Sequence, residues 1–395
     1  MDSNESRARA LLGDLSAGCS AVAWETADGG HLWGRNFDFN RIAADSKVTF
    51  VPRGQVFYAC GTELEGNLEP STRCTAAYAA VGIGSLVLRS TPALYEGLNE
   101  KGLMGGQLYY RTFAHFAPEA RPGTLPLEPP FLVTWCLATC ASVEEVARAL
   151  EERVSLVAIP MLGTVPPIHW MFSDRTGESI VVESDRDGLH IYRNTVGVMT
   201  NSPGYPWHRT NLLNYPQLRS LDYGELAWGG ERLEPCFSGS GAAGLPGDWS
   251  SPSRFVRLAF LREHAVKGGD EAEGVSLLFR LLHSAAFPLG AVELTGPGEI
   301  TPHDRGVVPY DYTVYSSVLC AESMRFYWLT YRNSRVRYVE LSRLLKGDRP
   351  LQFALGEEPE FCDVTGEGVL HSNRAHHEKM QKLRCMKCLR MRAVP

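Results

Sequence analysis

The sequence has no apolar run of roughly 18 residues, so nothing in it reads as a membrane-spanning helix. It has no basic excess either. Lysine and arginine number 39 against 45 aspartates and glutamates, a net charge of −6, which leaves no electrostatic footprint for nucleic acid or an anionic membrane. The first 18 residues lack the apolar segment of roughly 7–15 residues that a secretory signal needs. Asp2, Glu5, Arg7, Arg9 and Asp14 break it up, although Leu15-Ser16-Ala17-Gly18-Cys19 superficially resembles a lipoprotein cleavage box. A cytoplasmic location is expected. No low-complexity linker or charge block divides the 395 residues before residue 350, and regularly alternating βαβ units are absent. One large domain with a short tail is the expected organisation.

Two strings invite a cofactor or metal and support neither. Gly239-Ser240-Gly241-Ala242-Ala243-Gly244 matches a dinucleotide fingerprint as text. That motif works only between a strand and a helix, and here Glu234-Pro235-Cys236 precedes it and Leu245-Pro246-Gly247-Asp248 follows. These glycines are expected in a loop over a pocket, and no cofactor is expected. In the tail, His371, His376 and His377 precede a Cys385/Cys388 pair at non-standard spacing, without a second such pair. With Arg374, Lys379, Lys382, Arg384, Lys387, Arg390 and Arg392, residues 366–395 read as a solvated, disordered basic tail. Ten cysteines at irregular spacing read as reduced thiols, not a disulfide framework.

What is present is strand-rich. Cys19–Trp24 and His31–Phe37 flank an Asp28-Gly29 hairpin signal. Further strands are expected at 47–53, 55–60, 76–83, 102–110, 168–173, 179–183, 190–193, 197–200, 307–319, 324–332 and 335–341. Pro129–Thr139 reads as a buried helix, and Ser142-Val143-Glu144-Glu145 as a capping box opening another. Helices also fit 254–266 and 272–286. The sum is an α/β arrangement of two stacked sheets covered by helices, not doubly wound.

Chemistry concentrates at the first hairpin. The returning strand carries Arg35 and Asp38 back toward the end where Cys19 sits. A guanidinium beside a thiol favours the thiolate, the reactive form. No obvious histidine base accompanies it. The α-amine of Cys19, freed by removal of residues 1–18, would serve instead, since its ordinary pKa of about 7.7–8.0 suits a general base. For residues 19–38 by themselves, a buried strand cysteine beside an Arg35–Asp38 ion pair is the plainer reading. Farther on, Asn201 stands at a strand end held by Pro203 and Gly204. It is either a functional polar residue or a simple turn asparagine. The glycine-rich strand 102–110 reads as a place where backbone approaches a ligand.

Taken together, several stretches resemble the choloylglycine hydrolase family, cysteine N-terminal-nucleophile amidases that include penicillin V acylases and bile salt hydrolases. They are Gly18-Cys19-Ser20, Gly34-Arg35-Asn36-Phe37-Asp38, Asn99-Glu100-Lys101-Gly102-Leu103, Gly197-Val198-Met199-Thr200-Asn201-Ser202-Pro203, Gly244-Leu245-Pro246-Gly247-Asp248 and Ser253-Arg254-Phe255. They occur in family order across roughly residues 19–350. The resemblance implies a four-layer αββα sandwich of the α+β type at 19–365, behind a pre-peptide at 1–18. It implies hydrolysis of a linear amide by Cys19, with Arg35 and Asp38 tuning and orienting that group. The side-chain NH₂ of Asn201 and the backbone N–H of Tyr109 would form an oxyanion hole, and Arg254 would complete the cluster.

A small-molecule amide substrate and a homotetramer follow from the same resemblance. Tyr109-Tyr110 after Gly105-Gly106-Gln107-Leu108 is acylase-like, as are Leu103-Met104-Gly105 and Pro203-Gly204-Tyr205. Bile salt hydrolases tend to place asparagine where Tyr109 stands. Penicillin V acylase is thus the first expectation and bile salt hydrolase the alternative. A catalytically silent binding protein on this fold, its Cys19 never exposed, is the third. Two departures stand out: 18 residues precede the cysteine, and the chain beyond about residue 365 has no family counterpart.

Overall fold

The structure, a computed structural model, describes residues 18–43, 46–63, 65–86, 90–160, 164–295 and 304–368. The expected pre-peptide up to residue 17 and the histidine- and cysteine-bearing tail beyond 368 lie outside the described residues.

In chain order the main strands are β1 (Cys19–Glu25), β2 (His31–Phe39), β3 (Lys47–Val51), β4 (Ala80–Ser85), β5 (Ala93–Asn99), β6 (Met104–Tyr109), β7 (Ile168–Ser173), β8 (Ser179–Asp185) and β9 (Gly188–Tyr192). They continue with β10 (Val198–Met199), β11 (Val292–Glu293), β12 (Tyr310–Cys320), β13 (Arg325–Thr330), β14 (Arg337–Glu340) and β15 (Leu351–Phe353). The helices are α1 (Leu132–Thr139), α2 (Val143–Glu152), α3 (Tyr205–Asn211), α4 (Ser251–His264) and α5 (Glu271–Ser284).

One sheet runs β10-β1-β2-β12-β13-β14, with β11 beside β12; the other runs β9-β8-β7-β6-β5-β4-β3-β15. Helices α4 and α5 pack on the first sheet, α1 on the second. Period-2 alternation in the second sheet explains the layering. Val81, Ile83, Met171 and Val181 join the core shared with the first sheet, while Ala80, Trp170, Phe172, Ile180 and Val182 join the core beneath α1 and α2. Two sheets, each with one face on the other and one under helices, give the expected αββα sandwich.

Several elements follow their local chemistry. The β1–β2 hairpin turns through Asp28-Gly29, with Gly29 at φ 87, a left-handed angle that glycine adopts without strain. Ser142 caps α2 by accepting from the N–H of Glu145 at 3.3 Å.

No helix is expected just after Asn201, yet α3 begins at Tyr205, because Pro206 falls in the first helical turn, where its missing N–H costs nothing. The glycines of β6 are required by packing: a Cβ on Gly105 would fall 2.3 Å from the ring of Phe172, and one on Gly106 2.8 Å from that of Trp33. The glycines of 239–244 do not line either of the two cavities at Cys19 and Asn201, and a Cβ on Gly241 would meet the Leu221 carbonyl at 2.2 Å.

Among the described residues, no helix is long and apolar enough to cross a membrane. The compact unit that holds both sheets ends at Glu358; residues 359–368, taken separately, carry a short 3₁₀ turn at Thr365–Glu367.

Candidate active site

Cys19 opens β1 and stands opposite Phe37 of β2, two residues beyond Arg35. Arg35 is buried between the sheets and donates from Nη2 to the sulfur of Cys19 at 3.0 Å. Its Nη1 donates to Glu96 Oε2 at 3.0 Å and to the Gln107 carbonyl at 2.9 Å. The ion pair of this arginine is therefore with Glu96, from the other sheet, and not with Asp38. Tyr315 and Ser317 also donate to Glu96, at 2.9 and 3.3 Å. Burial nonetheless pushes the Glu96 carboxyl up to about 7 against the pull of Arg35.

Asp38 reaches the same site beside an irregularity. The β2–β12 register shifts between Phe37 and Asp38, where β12 carries one extra residue, and Asp38 lines one cavity with Cys19, Arg35 and Phe37. Oδ1 accepts from Thr313 at 2.5 Å, and Oδ2 is buried without a partner among the described residues. Burial raises this carboxyl to about 7, with Arg254 partly opposing. The thiol of Cys19 is raised as well, because burial outweighs Arg35. Burial thus disfavours the thiolate expected from Arg35 in the chain with Gly18 attached.

Asn201 lies just past β10, which pairs with β1 only at Ala21–Met199 and Val22–Val198. Its Oδ1 accepts from the Cys19 amide N–H at 2.8 Å and from Arg254 Nη2 at 2.6 Å. Its Nδ2 donates to the Tyr109 carbonyl at 2.9 Å, leaving one of two hydrogens for another acceptor. Contact between Asn201 and Tyr109 thus runs through the Tyr109 carbonyl. Arg254, on α4, donates to the Cys19 carbonyl at 2.5 Å, Ser20 Oγ at 2.7 Å and the Trp249 carbonyl at 2.8 Å. Cys19, Arg35, Asp38, Asn201, Arg254 and Tyr109, spread over 236 positions of sequence, are brought together.

Two cavities meet here. One, of about 220 Å³, is walled by Cys19, Phe37, Phe39, Tyr95 and Tyr109. The other, of about 430 Å³, touches Gly18, Asn201, Arg111, Trp249 and Phe287. Four residues of the site were not singled out from sequence: Glu96, His169, Glu183 and His208. Glu96 and Glu183 are single carboxylates in largely apolar strands, which marks neither one's partner. The two buried histidines address backbone carbonyls of Thr200 and Asn201, and no hydrogen bond links either to the sulfur. The arrangement offers a thiol, a carboxylate oxygen awaiting a donor, and an amide N–H donor at one locus, with no histidine base.

A family model described as linear amide C–N hydrolases, choloylglycine hydrolase family, matches residues 19–346 and so begins at Cys19. A bile salt hydrolase/transferase from Clostridium perfringens is 33% identical over 327 residues, 82% of this chain and 93% of that protein. One of the same name from Lactiplantibacillus plantarum is 33% identical over 326 residues, 82% of this chain and 92% of its own length. Among solved structures, a variant of the conjugated bile acid hydrolase from C. perfringens superposes with a TM-score of 0.75 at 30% identity, covering 88% of this chain and all of that one. Penicillin V acylase from Agrobacterium tumefaciens shares the fold, with a TM-score of 0.61 at 19% identity over 83% and 87% of the two chains. These relatives reverse the order expected from Tyr109 and bring the bile salt alternative to the front.

Proposed function

Because this chain belongs to the choloylglycine hydrolase family and is a hydrolase of linear amides, we propose that it deconjugates bile salts, with Cys19, released from Gly18, as nucleophile. The observation that carries the substrate is the one-third identity, over nine-tenths of their length, to proteins named for bile salt hydrolysis. The larger cavity supports it. Arg111 lines that cavity and has no ion-pair partner among the described residues, which suits the carboxylate or sulfonate of a glycine or taurine conjugate. Asp248 and Asp311 line it too; the Asp248 carboxylate is taken up by the N–H of Ser250 at 2.9 Å and the hydroxyl of Ser253 at 2.6 Å.

In the proposed reaction, release of Gly18 turns the Cys19 nitrogen from an amide into an amine. The Oδ1 of Asn201, which already accepts from this nitrogen, and the partnerless oxygen of Asp38 would receive its hydrogens. The amine takes the thiol proton, sulfur bonds to the substrate carbonyl carbon, and the carbonyl oxygen gains negative charge. The second N–H of Asn201 and the backbone N–H of Tyr109 receive that charge. The ammonium then gives its proton to the leaving nitrogen as the C–N bond breaks, and water hydrolyses the thioester. Arg35, fixed by Glu96, holds the sulfur; Arg254 holds the Cys19 carbonyl and Asn201. A cytoplasmic location belongs to this proposal, and a domain at 19–365 and a homotetramer join it through the family resemblance.

The aromatic wall of the smaller cavity favours a second reading, a phenoxyacetyl group and hence penicillin V. Turnover of glycocholate, taurocholate and penicillin V by one purified sample decides between them. The bile salts are expected to show the higher kcat/KM, and Arg111→Ala to raise KM for both. Preference for penicillin V reinstates the acylase reading, and no turnover of any amide points to a silent binding protein.

A further inference from the structure

The segment that presents Asn201 should be poorly held. The β10 ladder stops at Met199, so the peptide groups of Thr200 and Asn201 lie beyond the sheet's hydrogen bonds. Each nevertheless has a dedicated partner. The Thr200 carbonyl accepts from Nε2 of His169 at 2.9 Å, and the Asn201 carbonyl from Nε2 of His208 at 2.8 Å. The Asn201 N–H donates to Ser251 Oγ at 2.9 Å, and that hydroxyl also contacts Thr200 Oγ1 at 2.9 Å and His208 Nε2 at 3.3 Å. A carbonyl oxygen only accepts, so Nε2 of both rings carries the hydrogen.

Both imidazoles are themselves immobilised. His169 is 1% exposed, lies 4.5 Å from the Tyr110 ring at an interplanar angle of 3°, and contacts Glu183 Oε1 through Nδ1 at 3.1 Å. Glu183 in turn accepts from the Tyr205 N–H at 3.0 Å, tying this relay to the start of α3. His208 is 2% exposed and stacked on Phe255 with centroids 4.6 Å apart, its Nδ1 without a partner among the described residues. Burial pushes that ring down to about 4, which keeps it neutral with its hydrogen committed to Nε2.

We propose that His169 and His208 are positioning residues for the reaction: they clamp the Thr200 and Asn201 carbonyls and so aim the side-chain amide of Asn201 at the developing oxyanion. Neither ring touches substrate. A donor misplaced by about 1 Å loses much of its effect on the transition state, a cost on the order of 10²-fold, while ground-state binding barely changes. The clamp therefore acts on kcat rather than KM. It rests on the reading of Asn201 as an oxyanion donor, which Asn201→Ala checks by itself.

The test is a double-mutant cycle on the processed enzyme, with whichever of glycocholate, taurocholate and penicillin V it turns over fastest. His208→Phe keeps the stack on Phe255 and removes the donor. It should lower kcat by about 10- to 100-fold at unchanged KM, and His208→Gln, which restores an N–H, should recover most of the loss. In an Asn201→Ala background the same His208→Phe change should cost nothing further in kcat. Should His208→Phe not fold, Ser251→Ala removes the acceptor of the Asn201 N–H and carries the same expectations. An equal loss in both backgrounds, or an effect confined to KM, overturns the clamp while leaving Asn201 in place. Near-wild-type turnover by Asn201→Ala instead removes Asn201 from the site and the clamp with it.

Discussion

Burial and charge pull the Cys19 thiol in opposite directions, and with Gly18 attached burial wins. The same competition governs Asp38, whose carboxyl is lifted to about 7 although Arg254 and Thr313 favour its charged form. A carboxyl raised from 3.8 to about 7 on folding contributes stability in acid and loses it as pH rises through 7. In the unprocessed Cys19→Ala protein, Asp38→Asn should therefore gain stability relative to its parent as pH is raised from about 4 to about 8. Glu96, also raised, and His208, lowered, are common to both proteins and cancel from the difference. Urea midpoints at several pH values read it directly. A difference that stays flat, or that falls with pH, contradicts the burial of an unpartnered oxygen at this position.

At the scale of elements, the strands were legible because their side chains alternate over long stretches, and the first hairpin because Asp28-Gly29 admits few other conformations. The helix at Tyr205–Asn211 was not, because Pro203 and Pro206 look like breakers until one of them is known to sit in the first helical turn. The glycines of β6 were legible as a close approach, but what approaches is another side chain. Trp33 comes across from the first sheet to within 2.8 Å of where a Gly106 Cβ would stand, and Glu96 Cβ to within 2.6 Å. Gly106→Ala should accordingly destabilise the Cys19→Ala protein by about 1–3 kcal/mol, seen as a lower urea midpoint at unchanged slope. An unchanged midpoint would show that the two sheets can part at no cost, and that β6 needs no glycine there.

Across the whole molecule, the site is assembled from β1, β2, β5, β6, α4 and the segment after β10, so its members had to be read one by one. Cys19, Arg35, Asp38, Asn201 and Arg254 could be carried over from motifs, and the fold brings them within hydrogen-bonding reach of one another or into one cavity. Glu96, His169, Glu183 and His208 could not, since a single carboxylate or imidazole in an apolar stretch gives no sign of which distant group it will meet. The change of substrate emphasis has a similar cause. Tyr109 is one wall of a cavity completed by Phe37, Phe39 and Tyr95, and one aromatic residue does not fix what such a cavity holds.

The central claim is that the working enzyme begins at Cys19. With Gly18 attached, the Cys19 nitrogen is an amide that donates to Asn201 and has no lone pair available for a proton at neutral pH. Only its release supplies a base of suitable pKa beside the sulfur. The intact mass of the turnover-competent protein tests this most directly. The account predicts a mass from which Met1–Gly18 has been lost, together with no hydrolysis by Cys19→Ala. Full turnover by protein whose mass still includes Met1–Gly18 would contradict it.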